Sequence, residues 1–258
     1  MSSFYDVRAD AEIFKGRRRE FAVNDMSVVE STNRFLDGVQ NVVMSNLAEI
    51  LALRHRRQKK SDDSFVTDGD LFVQDLVQDQ MRLTLPDQTR LISEELAHSQ
   101  PLTAEMATIV LDPIDGTENF TAGLPEWGVS IACFSRGKHV ASMLACPEMN
   151  SWIRTGDDIP KFESRIRGYS SSIPLQLLTE VVTGAEYRVL GCCVYNMLNV
   201  IRGSFFSFEN PKGANSWDIL AGLNLALEHG LSVFVEGEPY AGEFLPPTRK
   251  YRFLIRQR

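Results

Sequence analysis

The sequence predicts a layered α/β sandwich rather than a purely parallel sheet. Patterns with a helical period and patterns with a strand period alternate along the chain. Two neighbouring strand patterns are joined by the short turn Ser135–Lys138, which makes them an antiparallel hairpin. No Ser/Gly-rich or Pro-rich tract divides the 258 residues. We therefore expect one domain over residues 1–258, with an N-terminal half of about 1–150 and a C-terminal half of about 151–258.

The first elements are helical. Apolar residues recur on one helical face from Asp25 to Leu53, and the basic run Arg54–Lys60 follows them. Those cations either stabilise the negative end of the helix dipole or form a rim that attracts phosphate. Thr67 and Asp70 have the spacing of a capping box, which predicts a second helix starting there.

Strands dominate the middle of the chain. A strand at 89–92 leads into Ser93-Glu94-Glu95, and a strand at 107–111 leads into Asp112-Pro-Ile-Asp-Gly-Thr117. The stretch 157–186 indicates only a short helix and loop. The remaining predicted elements are the hairpin strands 128–134 and 139–145, a strand at 187–190, a helix from Asn215 or Ser216 to His229, and a hairpin at 231–240.

Composition narrows the classes of function. The net charge is −7, which disfavours nucleic acid and anionic membranes as partners but is compatible with a cation site. The first thirty residues contain no apolar signal region, and no run of 18 apolar residues exists, so we expect a cytoplasmic protein without a membrane span. The four cysteines, Cys133, Cys146, Cys192 and Cys193, form no Cys-x-x-Cys pair, which is typical of reduced thiols.

Three acidic sites fall where predicted strands or helices begin or end. They are Glu94-Glu95, Asp112 with Asp115, and Asp218. Because strand ends meet at one edge of a sheet, these carboxylates can converge. A set of hard oxygen ligands without His or Cys suits Mg²⁺ rather than zinc or copper.

The hexapeptide 112–117 is the most specific of these features. Pro113 stiffens the turn, which lets Asp112 and Asp115 face one ion with the Ile114 carbonyl between them. Gly116 permits a conformation that brings backbone N–H groups close to an anion, and Thr117 adds a hydroxyl there. Metal, phosphate and proton-transfer groups would then lie within six residues.

These segments resemble the inositol monophosphatase family. DPIDGTENF at 112–120 resembles the first signature of that family, and WDILAG at 217–222 resembles the second. The similarity runs from about Lys60 to Tyr240. Further blocks resemble family segments in the expected order: Val66–Asp70, Ser93–Glu95, Arg188–Cys193 and Glu236–Tyr240.

The resemblance implies a five-layered αβαβα fold of the inositol monophosphatase/fructose-1,6-bisphosphatase type, two or three Mg²⁺ ions that Mn²⁺ can replace, inhibition by Li⁺ and a homodimer. Glu94 would hold metals and would also be a catalytic residue. The other implied roles are metal binding by Asp112, the Ile114 carbonyl, Asp115 and Asp218, phosphate binding by Gly116 and Thr117, and deprotonation of the attacking water by Thr117 hydrogen-bonded to Asp70.

The substrate side departs from the family pattern. Ser93 replaces a usual Gly, Cys192 and Cys193 replace small residues, and the chain from Pro147 to Gly191 is shorter than expected. Segment 208–216 has no acid where inositol-specific members carry one, which leaves Glu209 as the nearby candidate. The implied substrate contacts are Asp115, Gly191, Cys192, Cys193, Glu209 and Asp218. We therefore expect a weaker preference for inositol monophosphate than typical members show.

The sequence thus predicts a Mg²⁺-dependent phosphomonoesterase that cuts a small phosphorylated polyol or sugar. Alternatives are a phosphatase for a 3′-phosphonucleotide, fructose bisphosphate or histidinol phosphate, or a catalytically weak metal-binding relative. The expected partner is a small-molecule phosphate ester. A nucleic-acid binder using the Arg17–Arg19 and Arg54–Lys60 runs is disfavoured by the net charge and by the lack of interleaved aromatic residues.

Overall fold

The computed structural model of the chain describes residues 23–60, 65–96, 107–170 and 186–258, and leaves out the side chains of residues 23–26. Its α-helices are α1 (Val23–Ser45), α2 (Leu47–Leu53), α3 (Asp68–Thr84), α4 (Thr117–Thr121), α5 (Cys193–Arg202) and α6 (Ser216–Glu228). Its strands are β1 (Arg57–Lys59), β2 (Phe65–Thr67), β3 (Arg90–Ser93), β4 (Thr108–Asp115), β5 (Gly128–Ser135), β6 (Lys138–Cys146), β7 (Ser151–Arg154), β8 (Arg167–Tyr169), β9 (Tyr187–Val189), β10 (Ser207–Ala214), β11 (Ser232–Val235), β12 (Glu238–Pro239) and β13 (Tyr251–Arg256).

One five-stranded sheet carries Asp112 and Asp115, and its first strand leads directly into Glu94. Its order is β3-β4-β5-β6-β7, with β3 and β4 parallel and the other pairs antiparallel. Strand β4 is buried along its whole length, because helices cover both faces of the sheet. Ile109 and Leu111 face the cluster formed with α1 and α3, whereas Val110 faces the cluster formed with α5 and α6. This alternation is the two-residue period of a strand applied to two apolar faces.

A second sheet carries segment 207–214, which contains the candidate substrate residue Glu209. Its order is β12-β11-β13-β10-β8-β9, and β10 pairs antiparallel with β13 and parallel with β8. Helices α5 and α6 fill the space between the two sheets, where their apolar side chains join one continuous core. The described residues therefore stack as helices, sheet, helices, sheet. These are four of the five predicted layers, and a fifth helical layer is not among the described residues.

Several predicted elements are confirmed. The β5–β6 hairpin, the Thr67–Asp70 capping box of α3 and the start of α6 after Asn215 all form as predicted. The prediction of one long first helix was wrong in one respect, because the helix breaks at Asn46 into α1 and α2. The side-chain amide of Asn46 donates to the Val42 carbonyl at 2.7 Å, a local bond that competes with helix continuation.

The elements β1, β2, β7, β10, α5 and β13 have no counterpart in the predicted pattern. The predicted loop at 157–186 contains strand β8, and its portion 171–185 lies outside the described residues. No helix in the described ranges is both long enough and apolar enough to cross a membrane.

Candidate active site

The parallel pair β3 and β4 brings the first two acids together. Ser93 pairs with Leu111 at the end of this ladder, and the Glu94 amide donates to the Leu111 carbonyl at 3.2 Å. Glu94 and Asp112 therefore lie side by side, each one residue beyond the Ser93–Leu111 pair. This is the convergence at a sheet edge that the strand pattern predicted.

The 112–117 turn is shaped by an irregularity in the β4–β5 pairing. Asp112 pairs with Ser130, but Asp115 pairs with Gly128, so Pro113 and Ile114 lie opposite the single residue Val129 and form a bulge. The Asp112 carboxylate accepts a bond from the Ile114 amide at 3.1 Å, which holds the bulge in place. The bulge aims both aspartates at the same side of the sheet edge, where they line one cavity of about 260 Å³.

Gly116 occupies a position that no other residue fits. Its φ is +83°, and an added Cβ would lie 2.9 Å from the Cβ of Cys192. Helix α4 begins at the next residue, so the first backbone N–H groups of that helix have no partner within it. The turn therefore presents main-chain donors beside the carboxylates.

Asp218 reaches the same point from α6. Asn215 caps this helix, and its backbone amide donates to the Asp218 carboxylate at 2.7 Å. Carboxylate oxygens of Glu94, Asp112 and Asp218 all lie within 4.8 Å of one another. Since Asp218 belongs to the C-terminal half, both halves of the chain build the acidic cluster.

Asp115 links this cluster to the Gly191–Cys193 block. One of its oxygens accepts bonds from the Cys192 thiol at 2.9 Å and from the Val194 amide at 2.5 Å. Cys192 also accepts a bond from the Tyr195 amide and so caps α5. A cysteine in place of a small residue thus orients an acid of the site, a role that the sequence alone did not reveal.

Burial and mutual repulsion raise the pKa values of the aspartates in the site, which favours their protonated forms. Burial, followed by repulsion from Glu94, raises the pKa of Asp112 well above its ordinary value. Burial and the charge of Asp115 do the same for the pKa of Asp218. Burial also raises the pKa of Asp115 to about 6, although the bonds from Cys192 and Val194 oppose that rise. Protons or a cation must offset this repulsion, so the cluster is suited to bind positive charge.

Lys60 supplies one such charge. Its ammonium lies 2.9 Å from Glu94 and 2.6 Å from Glu95. Burial alone would lower the pKa of Lys60, but the charge of Glu94 and the hydrogen bond with Glu95 raise it above its ordinary value. The basic run Arg54–Lys60 therefore does more than neutralise a helix end, since its last residue contacts the acidic site.

The predicted hydrogen bond between Thr117 and Asp70 is not formed. The Thr117 hydroxyl donates instead to the Ile114 carbonyl at 3.1 Å. Asp70 accepts bonds from the amide and hydroxyl of Thr67 at 2.7 and 2.5 Å, while its second oxygen is buried without a partner among the described residues. Burial raises the pKa of Asp70 to about 7.

A second cavity of about 440 Å³ adjoins the first and shares Asp115, Gly191 and Asp218 with it. Cys192 and Cys193, which the family resemblance implied as substrate contacts, line this second cavity. Glu209 lines neither cavity. Side chains alternate along β10, and its neighbours Phe208 and Asn210 are the ones that face the second cavity.

Ser170, Lys212 and Lys250 also line this cavity, and neither Ser170 nor Lys250 was predicted from sequence. Lys212 lies in the 208–216 segment that already stood out for its missing acid. Nothing in the sequence signalled Lys250, which reaches the cavity only because β13 pairs with β10.

The fold and the site together define a layered α/β protein with a cluster of carboxylates at a sheet edge, in which Asp112 is buried and Glu94 and Asp218 are partly buried. The family model of the inositol monophosphatase family matches residues 25–158 of this chain. The chain therefore belongs to the inositol monophosphatase family. Members are phosphoric monoester hydrolases, which confirms the enzyme class predicted from the sequence.

Curated relatives are similar at modest identity. The inositol-1-monophosphatase of Mesorhizobium japonicum is 28% identical over 47% of this chain, and the match spans 54% of that relative, about half its length. The fructose-1,6-bisphosphatase/inositol-1-monophosphatase of Thermotoga maritima is 24% identical over 67% of this chain and 72% of its own length. The Nus factor SuhB of Escherichia coli K12 is 27% identical over 71% and 76% of the two chains.

Solved structures share the fold. A Ca-bound family protein from Staphylococcus aureus has a TM-score of 0.72 at 18% identity, covering 89% of this chain and 91% of that one. An IMPase/NADP phosphatase complexed with Mg²⁺ and phosphate has a TM-score of 0.70 at 20% identity, covering 91% and 92%. At these identities the likeness confirms the predicted fold class.

Proposed function

We propose that this protein is a Mg²⁺-dependent phosphomonoesterase that hydrolyses a small phosphate ester through attack by water. The observation that carries the proposal is the approach of Glu94, Asp112 and Asp218 to within 4.8 Å of one another, beside the 116–117 turn. Three like charges held close together in a partly buried site are costly to the fold, so a cluster of this kind favours a role in cation binding.

The residues present fit divalent magnesium. Glu94, Asp112, Asp115, Asp218 and the Ile114 carbonyl would hold the metals, and all are oxygen donors that line the same cavity. Two or three ions are proposed, with Mn²⁺ able to replace Mg²⁺. When bound, such cations acidify water and neutralise the charge of a phosphoryl group. The structure of the IMPase/NADP phosphatase complexed with Mg²⁺ and phosphate supports this choice of metal.

The 116–117 turn would orient the phosphate. The main-chain N–H groups at the start of α4 are free to donate to phosphate oxygens, and the close packing of Gly116 against Cys192 keeps the turn rigid. No nucleophilic side chain is needed in this scheme, which accords with the hydrogen bond that ties the Cys192 thiol to Asp115.

Asp70 and Thr117 would move the proton. Asp70 has one buried oxygen without a partner among the described residues and a pKa raised to about 7 by burial. A group with that pKa is well matched to accept a proton near neutral pH. For this step the Thr117 hydroxyl would turn from the Ile114 carbonyl toward Asp70, so that it accepts a proton from water while it donates its own.

The substrate is proposed to be a small phosphorylated polyol or sugar. The relative named fructose-1,6-bisphosphatase/inositol-1-monophosphatase supports a phosphate ester of this size. Homodimer assembly and a cytoplasmic location remain predictions from the family resemblance and the composition.

A phosphate-release screen over small esters tests the proposal. The parent should release phosphate with Mg²⁺ or Mn²⁺, stop with EDTA and be inhibited by Li⁺. Glu94→Gln should lose both metal binding and turnover, whereas the surface change Asp87→Asn should retain both, because Asp87 is exposed and lines neither cavity. Glu94→Gln turning over as fast as the parent would contradict the proposed metal site.

A further inference from the structure

Helix α4, which begins at Thr117, is too short to hold its own position. It spans five residues, and an isolated helix of that length is unstable in water. All five residues are described, and among them only Phe120 is buried. The Phe120 amide donates to the Gly116 carbonyl at 3.0 Å and so closes the turn beside the carboxylates. The position of Thr117 therefore depends on what packs against the Phe120 ring.

Residues from three separate parts of the chain pack around that ring. The Arg54 guanidinium, at the end of α2, lies 5.0 Å from the ring centroid. The Trp127 ring, just before β5, meets it edge to face with 4.9 Å between the centroids. Gly69, in the first turn of α3, lets the ring approach closely, because an added Cβ would lie 3.0 Å from a Phe120 ring carbon. Phe120 thus packs against the residue that precedes Asp70.

One carboxylate oxygen joins two of these neighbours. Oε2 of Glu148, in the 3₁₀ turn after β6, accepts a bond from Arg54 Nη2 at 2.8 Å and another from Trp127 Nε1 at 2.8 Å. The Arg54 side chain is 11% exposed and that of Glu148 is 25% exposed, so water screens this ion pair only in part. Arg54, Trp127 and Glu148 together form what we call the Phe120 clamp.

We infer that the Phe120 clamp sets the position of the Thr117 hydroxyl relative to Asp70. The clamp residues act as positioning residues, because among the described residues that line the two cavities none belongs to the clamp. This inference rests on the proposed function, in which Thr117 passes a proton to Asp70. The ring of Phe120 connects the two groups, since it extends from the helix of Thr117 and packs against the helix of Asp70.

The proposed metal ligands are held by other elements. Glu94 and Asp112 extend from the β3–β4 ladder, and Asp218 lies in the first turn of α6. A weakened clamp should therefore slow the chemical step while leaving Mg²⁺ affinity unchanged. Since proton transfer belongs to the chemical step, the loss should fall on kcat rather than on KM.

The test measures kcat and KM for glucose 1-phosphate, and Mg²⁺ affinity by calorimetry, well below the Tm of each protein. Arg54→Met and Glu148→Gln should each lower kcat by about tenfold and change KM and Mg²⁺ affinity by less than about twofold. Arg54→Lys keeps a cation for Glu148 and should recover part of the loss. The matched control is Arg154→Met, which breaks the ion pair of Arg154 with Asp37 between β7 and α1 and should leave kcat unchanged.

A double variant separates positioning from general stabilisation. In the Thr117→Ala background, Arg54→Met should lower kcat no further, because its effect passes through Thr117. Losses that multiply would overturn the inference, since Arg54 would then act independently of that hydroxyl. Parent-like kcat in both Arg54→Met and Glu148→Gln would overturn it as well.

Hydrogen exchange gives a readout that needs no substrate. The Phe120 and Ala122 amides donate within α4, to the Gly116 and Glu118 carbonyls. In the metal-free protein both clamp variants should exchange these amides about tenfold faster than the parent, and Arg154→Met should match the parent. A parent inactive on every ester, with faster exchange in the clamp variants, would support the clamp and overturn the proposed function. An active parent, with unchanged exchange in those variants, would overturn the clamp alone.

Discussion

Replacing Asp112 by Asn should stabilise the metal-free protein while abolishing its response to Mg²⁺. Asp112 is 1% exposed and lies in a cluster with two other carboxylates within 4.8 Å. At an effective dielectric constant of about 20, two unit charges at that separation repel by about 3 kcal/mol. Because Asp112 has a raised pKa and part of the repulsion is relieved by protonation, we expect a net gain of about 1–2 kcal/mol.

That gain corresponds to a rise in Tm of about 3–6 °C for a chain of this size. The Asn oxygen can still accept the bond from the Ile114 amide, and its amide group can donate to Asp218, so the turn should keep its shape. The assay is thermal unfolding of parent and variant in EDTA and then in saturating Mg²⁺. In the parent, saturating Mg²⁺ should add about 2–3 kcal/mol, whereas the variant should show almost no shift.

The surface change Asp87→Asn is the control, because it removes the same charge from an exposed position. A lower Tm for Asp112→Asn in EDTA, with the control unchanged, would refute the idea that the acids are held together against their own repulsion. A Mg²⁺-dependent shift equal to that of the parent would remove Asp112 from the set of metal ligands.

Three further predictions concern the same site. Thr117→Ala should keep its Mg²⁺ affinity in calorimetry but lose roughly 10²-fold in turnover, and Thr117→Ser should recover most of it; parent-like turnover in Thr117→Ala would exclude the proton-transfer role. Because burial raises the pKa of Asp70 to about 7 and that of Asp115 to about 6, the folded metal-free protein holds protons that the unfolded chain has lost, so its stability should fall as pH rises from about 4 to about 7. Unfolding in EDTA across that range checks the sign, and stability that rises throughout would contradict it, while the stabilisation by Mg²⁺ should grow with pH. Cys192→Ala should weaken Mg²⁺ binding several-fold by releasing one hydrogen bond to Asp115, with Cys192→Ser as the rescue; equal affinities in parent and Cys192→Ala would show that the Val194 amide alone holds the acid.

The acidic cluster was predictable because local features mark it. Glu94 and Asp112 each follow an apolar strand segment, and parallel neighbours end at one edge. Asp218 follows a capping residue at the start of a helix, a signal with a clear physical cause. Each of these inferences needs only a few consecutive residues.

The substrate side was less predictable because it depends on pairings between distant segments. Strand β13 at the end of the chain inserts between β10 and β11, and no local pattern specifies that position. Strand β10 contains Pro211 and Gly213, and because both residue types are uncommon inside strands, its sequence predicts a loop. Because side chains alternate along β10, Glu209 does not line the second cavity. Lys250 lines that cavity because β13 pairs with β10, and no local sequence pattern predicts this pairing.

The Thr117–Asp70 pair illustrates a third kind of limit. The residues were predicted as partners from family resemblance, but hydrogen bonds are chosen by competing local acceptors. Here Thr67 satisfies one oxygen of Asp70 and the Ile114 carbonyl takes the Thr117 hydroxyl. The sequence can identify the hydrogen-bonding side chains, whereas the bond that each side chain makes depends on which other donors and acceptors lie close to it.

The most direct test of the account follows metal binding and turnover together. Chelator-stripped protein is titrated with Mg²⁺ while calorimetry records binding and phosphate release from a small sugar phosphate records activity. The account predicts no turnover in the stripped protein and an activity curve that rises with occupancy of the Glu94, Asp112 and Asp218 cluster. Asp218→Asn should lose both curves together. Full phosphate release in the presence of chelator would contradict the central claim that these carboxylates serve catalysis by binding metal.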